Sequence, residues 1–201
     1  MQEPAERMRE ITGGPERLPG LSAEHLDARH HAAIDRLGVL YPDGTGEPLD
    51  SFYAMLAHSP DLFAGFMDLG VAIALNCALP ARWREMLILR TGWLCGAPYQ
   101  WGEHVLAARR AGLRDDEIER VTLGAAADGW NACERALLRA AEQLHARAMI
   151  DDETWEDLAR FLDERQLLEV PLVVGHYHTT AFVQNALRAR LTDYNPGLSA
   201  R

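Results

Sequence analysis

The sequence predicts an all-α protein, a bundle of about eight to nine helices. Apolar residues recur at helical spacing through most of the 201 residues. No strand-like alternation of useful length interrupts them. A hydrophobic fraction of 48% supplies a real core, and the length suits a single domain. The expected division is an N-terminal arm over residues 1–20 and one helical domain over 21–195.

The elements follow in order. Pro4, Gly13, Gly14, Pro15, Pro19 and Gly20 make the first stretch read as an arm rather than a core element. Ser22 is expected to cap a helix to about residue 37, with Glu24 and Asp27 favouring its start. His30 and His31 fall on that helix. Adjacent positions do not face the same way, so they read as surface residues rather than metal ligands. Residues 38–48 carry Pro42, Asp43, Gly44 and Gly46 and read as a loop. Asp50 opens a short helix to about residue 57. Ser59 and Pro60 start the next, with Phe63, Phe66 and Ile73 on a wide apolar face. Pro80 divides it from a helix over 81–94, and Cys95 to Pro98 breaks the chain. A second helix runs from about 98 to 111 and stops at Gly112. Beyond it, Asp115 or Asp116 opens a short helix through Leu123, and residues 124–129 form a small-residue connection. An amphipathic helix over 130–149 follows, then one capped by Asp151 to about 162. The last is long, over 165–191, with Pro171 as a kink or a helix start.

The chemistry concentrates in residues 79–113. Glu85 sits among Ala81, Ile88, Leu89 and Gly92 on its helix, and a carboxylate among apolar neighbours is costly to ionise. His104 shares a stripe with Gln100, Trp101, Ala107, Ala108 and Ala111, whose small alanines invite a close neighbour. Glu103 points elsewhere and reads as a surface charge. The turn lets the two helix faces meet, so Glu85 and His104 can approach. Cys95 precedes a helix N-terminus, where the dipole favours a thiolate. A carboxyl, an imidazole and a thiol in an apolar setting are the ingredients of proton transfer. Taken singly, each has a plain structural reading. Glu85 can be half of an ion pair with Arg82 or Arg90, and His104 a satisfied core histidine. Gln100 can bond back to free N–H groups at its helix start. Tyr99 and Trp101 can be core, and Cys95 an inert small hydrophobe.

Several classes of function are excluded. A net charge of −10 and a pI of about 5.2 argue against nucleic-acid or anionic membrane partners. No uncharged apolar run approaches the length of a membrane span. The opening MQEPAERMRE is polar and unlike a signal peptide. Three cysteines at irregular spacing argue against a disulfide framework and for a reducing, cytoplasmic setting. H-x-x-x-H, H-E-x-x-H and C-x-x-C patterns are absent, so no metal is expected. His176 and His178, two apart, diverge on a helix and do not share an ion. His178 either reaches a pocket or is a polar residue at a helix contact. Phosphate-binding glycine loops are absent too.

The run Cys95, Tyr99, Gln100, Trp101, His104 has the form C-x-x-x-Y-Q-W-x-x-H. With Glu85 at its interval before His104 and Gly112 after it, residues 79–118 resemble the carboxymuconolactone decarboxylase / alkylhydroperoxidase D-like superfamily. One branch carries C-x-x-x-Y-E-W-x-x-H, and Gln100 here replaces its Glu. The Ser59–Pro60 segment and the Gly175 to Ala181 run are similar to flanking parts of the family more weakly. The resemblance implies the alkylhydroperoxidase D-like bundle and a homo-oligomer, whether dimer, trimer or hexamer. It also implies a cofactor-independent lyase or isomerase acting on a small carboxylated, carbonyl or lactone substrate. Glu85 and His104 would be catalytic, together with the offset thiol of Cys95. Tyr99, Gln100, Trp101 and His178 would bind substrate. The peroxidase branch carries C-x-x-C, and those positions here are Ala97 and Gln100, so its dithiol cycle does not transfer. Two alternatives remain: a peroxidase or redox protein using Cys95, and a non-catalytic oligomeric binding protein with a filled pocket.

Overall fold

A computed structural model describes residues 3–40 and 51–201. Every regular element among them is helical: α1 (Pro4–Thr12), α2 (Ala28–Leu40), α3 (Ser51–Leu56), α4 (Pro60–Val71), α5 (Ala81–Leu94), α6 (Pro98–Arg110), α7 (Asp115–Leu123), α8 (Ala132–Arg147), α9 (Asp152–Ala159) and α10 (Glu164–Leu187). A π-helical turn, Ala72–Asn76, extends α4. Short 3-10 turns lie at Ala23–His25 and Gly197–Ser199.

The bundle is organised around α5. Residues Glu85 to Trp93 are all buried, as expected of a helix apolar on all sides. Leu87 and Ile88 face Leu137, Ala140 and Ala141 of α8 and Val170, Val173 and Val174 of α10. Met86, Leu89 and Trp93 face Trp101, Val105 and Ala108 of α6 and Ile118 and Val121 of α7. Each fully buried side chain of this size contributes roughly 1.5–3 kcal/mol, so α5 is both core and platform. On the flank, Ala33 of α2 packs on Phe63 and Met67 of α4. Phe52 and Met55 of α3 pack on Tyr99 of α6.

The helix starts are set by carboxylates and amides. The Asn131, Asp151 and Asp163 side chains accept the N–H groups of Glu134, Thr154 and Gln166 at the heads of α8, α9 and α10. The N-terminal region departs from expectation. Ser22 starts only a 3-10 turn. Asp27 caps α2 instead, accepting from the N–H groups of Arg29 (2.9 Å) and His30 (3.3 Å). His30, expected at the surface, is buried, held between Asp27 and the Ala57 carbonyl. The helix beyond the expected eight or nine is α1. It forms within the predicted arm and buries Ile11, with Met8 packed against the α5–α6 core. Positions 41–50 of the expected loop, including Asp50, lie outside the described residues; 38–40 belong to α2. Pro171 lies inside α10 rather than at its start.

The C-terminal segment packs back along α6. Asn195 donates to the Tyr99 carbonyl (3.0 Å) and to Glu103 (2.9 Å). Thr192 and Tyr194 also donate to Glu103, at 2.7 and 3.0 Å. Glu103 is therefore a clamp, not the free surface charge its sequence position suggests. Gly102 is required at this crossing: a Cβ there would lie 1.6 Å from Asn195 Oδ1. No helix among the described residues is long and apolar enough to cross a membrane.

Candidate functional site

The α5–α6 turn brings two of the predicted residues together. His104 Nδ1 lies 2.8 Å from Glu85 Oε2. The Glu85 side chain is 6% exposed and His104 21% exposed, so the carboxylate is inside and the imidazole faces an opening. Arg84 Nε stands 3.6 Å from the other Glu85 oxygen. Neither Arg82 nor Arg90 pairs with Glu85. Arg82 binds Glu117 and Glu134, and Arg90 binds Glu142. A carboxylate accepts, so the proton between Glu85 and His104 sits on Nδ1. Nε2 is then the nitrogen that can take or give a proton.

The pair borders a cavity of about 580 Å³, large enough for a small organic molecule. Its wall is shared by α3, α4, α5, α6 and α10, with Phe52, Phe66, Tyr99, His176, Tyr177 and Gln184 among the lining residues. The Tyr177 ring stands edge-on to His104, centroids 4.8 Å apart and planes at 88°. His176 lies against Phe66 at 4.6 Å. Burial, and secondarily the nearness of His104, push the His176 imidazole down to about 4, so it is neutral at physiological pH. Gln184 is buried, and its Oε1 has no hydrogen-bond partner among the described residues.

The other predicted residues distribute differently. Tyr99 lines the cavity. Gln100 also lines it, but its amide is committed to backbone. Turned so that its nitrogen donates to the Tyr177 carbonyl (2.9 Å), its oxygen accepts from the Gly92 N–H (3.3 Å). It ties α6 to α5 and α10 and is not free to orient a substrate carbonyl. Trp101 points the opposite way into the core, fully buried, donating from Nε1 to the Ala200 carbonyl. Cys95 does not join Glu85 and His104. It caps α5 and borders a separate cavity of about 260 Å³ with Arg7, Trp93 and Leu198. Burial pushes its thiol up to about 11, against the thiolate expected from the neighbouring helix start. The dipole argument fails because Gly96, at φ +54°, and Ala97 intervene before α6 begins. His178 is likewise away from the cavity, beside His145 and Cys95.

Sequence reasoning missed Arg84, His176, Tyr177 and Gln184. Arg84 was readable as the immediate neighbour of Glu85. The α10 residues reach the cavity only through tertiary packing.

Residues 60–143 match the model of the carboxymuconolactone decarboxylase family. No curated protein matches the chain. Among solved structures, an alkylhydroperoxidase AhpD core, an uncharacterized peroxidase-related protein from Ralstonia eutropha, superposes with a TM-score of 0.75 at 18% identity, covering 90% of this chain and 94% of that one. The debrominase Bmp8 superposes with a TM-score of 0.73 at 17% identity, covering 89% and 94%. A peroxidase-related protein from Silicibacter gives 0.72 at 16%, covering 90% and 95%. These likenesses are of fold. The family model lies across both site helices, so the part of the chain that carries α5 and α6 is similar to the carboxymuconolactone decarboxylase family, and the solved structures share the fold.

Proposed function

We propose that the protein is a lyase or isomerase that moves a proton on a small carboxylated, carbonyl or lactone substrate, with His104 as the proton carrier and Glu85 as its orienting partner. The observation that carries this reading is the 2.8 Å Glu85–His104 pair at the edge of a 580 Å³ cavity. In a decarboxylation the bond to the carboxylate carbon breaks and its electron pair passes into an enolate as carbon dioxide leaves. The imidazolium then gives its Nε2 proton to the carbon, and water restores it. Arg84, beside Glu85, offers positive charge to the developing enolate oxygen. Gln184 Oε1 is placed to accept from a substrate hydroxyl or N–H. In an isomerisation the same Nε2 takes the proton first and returns it at another carbon. The open cavity favours this over a binding protein with a filled pocket. The half-buried Cys95 thiol, bordering a different cavity, gives the peroxidase reading no comparable support.

The test is a panel of β-keto acids, carboxylated lactones and enolisable ketones in deuterated buffer, followed by NMR. Carbon dioxide release or deuterium appearing at the carbon next to the carbonyl is the expected result. Neither signal across the panel, with the protein folded, would end the reading.

The family resemblance also implies assembly, and we propose a homo-oligomer using α10. Leu168, Leu172 and Phe182 follow helical spacing and are 61%, 46% and 62% exposed. Light scattering is expected to give a multiple of the chain mass, reduced in Leu172→Glu. A monomeric wild type would remove the proposal.

A further inference from the structure

Outside the cavity, three side chains from three helices converge, and the proton-transfer reading uses none of them. Cys95 caps α5, His145 lies in the last turn of α8, and His178 lies on α10. Their Sγ, Nδ1 and Nε2 atoms all lie within 4.8 Å of one another. His145 Nδ1 is 3.0 Å from His178 Nε2 and 3.9 Å from Cys95 Sγ.

We propose that Cys95, His145 and His178 form a binding site for a divalent ion of zinc type. The spacing fits the metal. Zinc–nitrogen and zinc–sulfur bonds in a tetrahedral site set donor atoms about 3.3 Å apart for two nitrogens, and about 3.6 Å for nitrogen and sulfur. The donor set fits as well, since mixed imidazole and thiolate ligands select borderline ions over magnesium or calcium. Orientation is already arranged. His178 donates from Nδ1 to the Val174 carbonyl at 2.9 Å, which leaves the Nε2 lone pair aimed at the other two ligands. Metal-bound histidines are fixed in this way by a hydrogen bond from their other nitrogen. His145 is exposed, so water can fill the fourth position, the arrangement of an open zinc site.

The balance of protons is simple. As the sulfur–metal bond forms, the Cys95 proton leaves to solvent. His145 carries its proton on Nε2 once Nδ1 binds the ion. Nearby cations do not block the site outright: Arg90 is ion-paired to Glu142 at 2.9 Å, and Arg7 to Glu10 at 2.7 Å. The bound ion would join α5, α8 and α10, so it would stabilise the fold as well as create a Lewis-acidic, water-bearing centre.

The test uses the full chain, stripped with a chelator and titrated with cobalt(II) as the spectroscopic stand-in. One cobalt per chain is expected, with a thiolate-to-cobalt charge-transfer band and the strong visible bands of a tetrahedral ion. Zinc should displace it and raise the melting temperature. Cys95→Ser should abolish the charge-transfer band. His145→Asn and His178→Asn should weaken binding by more than an order of magnitude. Cys77→Ser, whose thiol instead bonds Glu169, should keep the band. Helical circular dichroism checks that each variant is folded. Absence of stoichiometric binding by the wild type overturns the proposal. So does a charge-transfer band that persists in Cys95→Ser, or a folded His178→Asn that binds cobalt as tightly as the wild type. None of these outcomes depends on turnover, so the site stands or falls apart from the Glu85–His104 reading.

Discussion

His104→Gln is expected to lower turnover by about 10²–10⁴-fold on any substrate the wild type accepts, with KM little changed. Glutamine keeps most of the bulk and can still bond Glu85, but its amide nitrogen neither takes nor gives a proton. The loss should therefore fall on the proton-transfer step and not on binding. Glu85→Gln should cost less. Its amide oxygen can still accept from Nδ1, which keeps the tautomer, but the charge that stabilises an imidazolium is gone. The two effects belong to one unit, so the double variant should be little worse than His104→Gln alone. Additive losses would mean that the two side chains act separately. His176→Asn is the informative neighbour. Burial holds that ring neutral down to about pH 4, so its removal should leave the pH profile of turnover near neutrality in place. A His104→Gln protein within a few-fold of wild type would remove the proton-carrier role altogether.

The meeting of Glu85 and His104 was legible because it depends on local information. Two helical registers and one short turn decide which stripes face each other, and all three are written between residues 81 and 110. The same local logic failed for Cys95 and Trp101. A residue at a turn has no helical stripe to assign its direction, and the positive φ at Gly96 sends the chain away before α6 starts. Trp101 shares a stripe with His104 only loosely, and the returning C-terminal segment supplies the Ala200 carbonyl that fixes it in the core. Glu103 looked solvated for a related reason: its three partners lie about ninety residues on. His176, Tyr177 and Gln184 enter the cavity wall because α10 packs on α5, and no spacing rule within α10 distinguishes that face in advance. The Cys95, His145 and His178 cluster is the extreme case. Its members are separated by 50 and 33 residues, so no ligand-spacing pattern could reveal it. The cap at Asp27 is half visible in the sequence: its acidity favours a helix start, but nothing in the local spacing shows the 3-10 turn that breaks the chain before it.

Arg82→Met is expected to be the most destabilising change outside the apolar core. Arg82, in the first turn of α5, donates to Glu134 at 3.0 and 2.9 Å and to Glu117 at 3.1 and 2.7 Å. Both carboxylates also serve helix starts. Glu117 accepts from the Arg114 N–H at the head of α7, and Glu134 from the Asn131 N–H at the head of α8. One guanidinium thus pins three helix beginnings. The carboxylates are 7% and 8% exposed, so removing the cation leaves two poorly solvated charges. Breaking a buried pair costs about 3–5 kcal/mol. Arg82 itself is 27% exposed, and Arg114 still reaches Glu117 at 3.2 Å, which points to the low end, about 3 kcal/mol. For a chain of this size that is a fall in melting temperature of about 6–12 °C. Acidification gives the sign. The Arg82 guanidinium holds the Glu117 carboxyl below its ordinary value of 4.5, so the folded state binds fewer protons than the unfolded one. That contribution is full above 4.5 and is lost as pH falls through the lowered folded value. In Arg82→Met this part of the acid sensitivity should flatten. Adding Glu117→Gln and Glu134→Gln should recover much of the stability, because it removes the stranded charges along with the partner they lost. If the single variant loses less than about 1 kcal/mol, as exposed pairs do, the three-helix junction is held by apolar packing and not by this guanidinium.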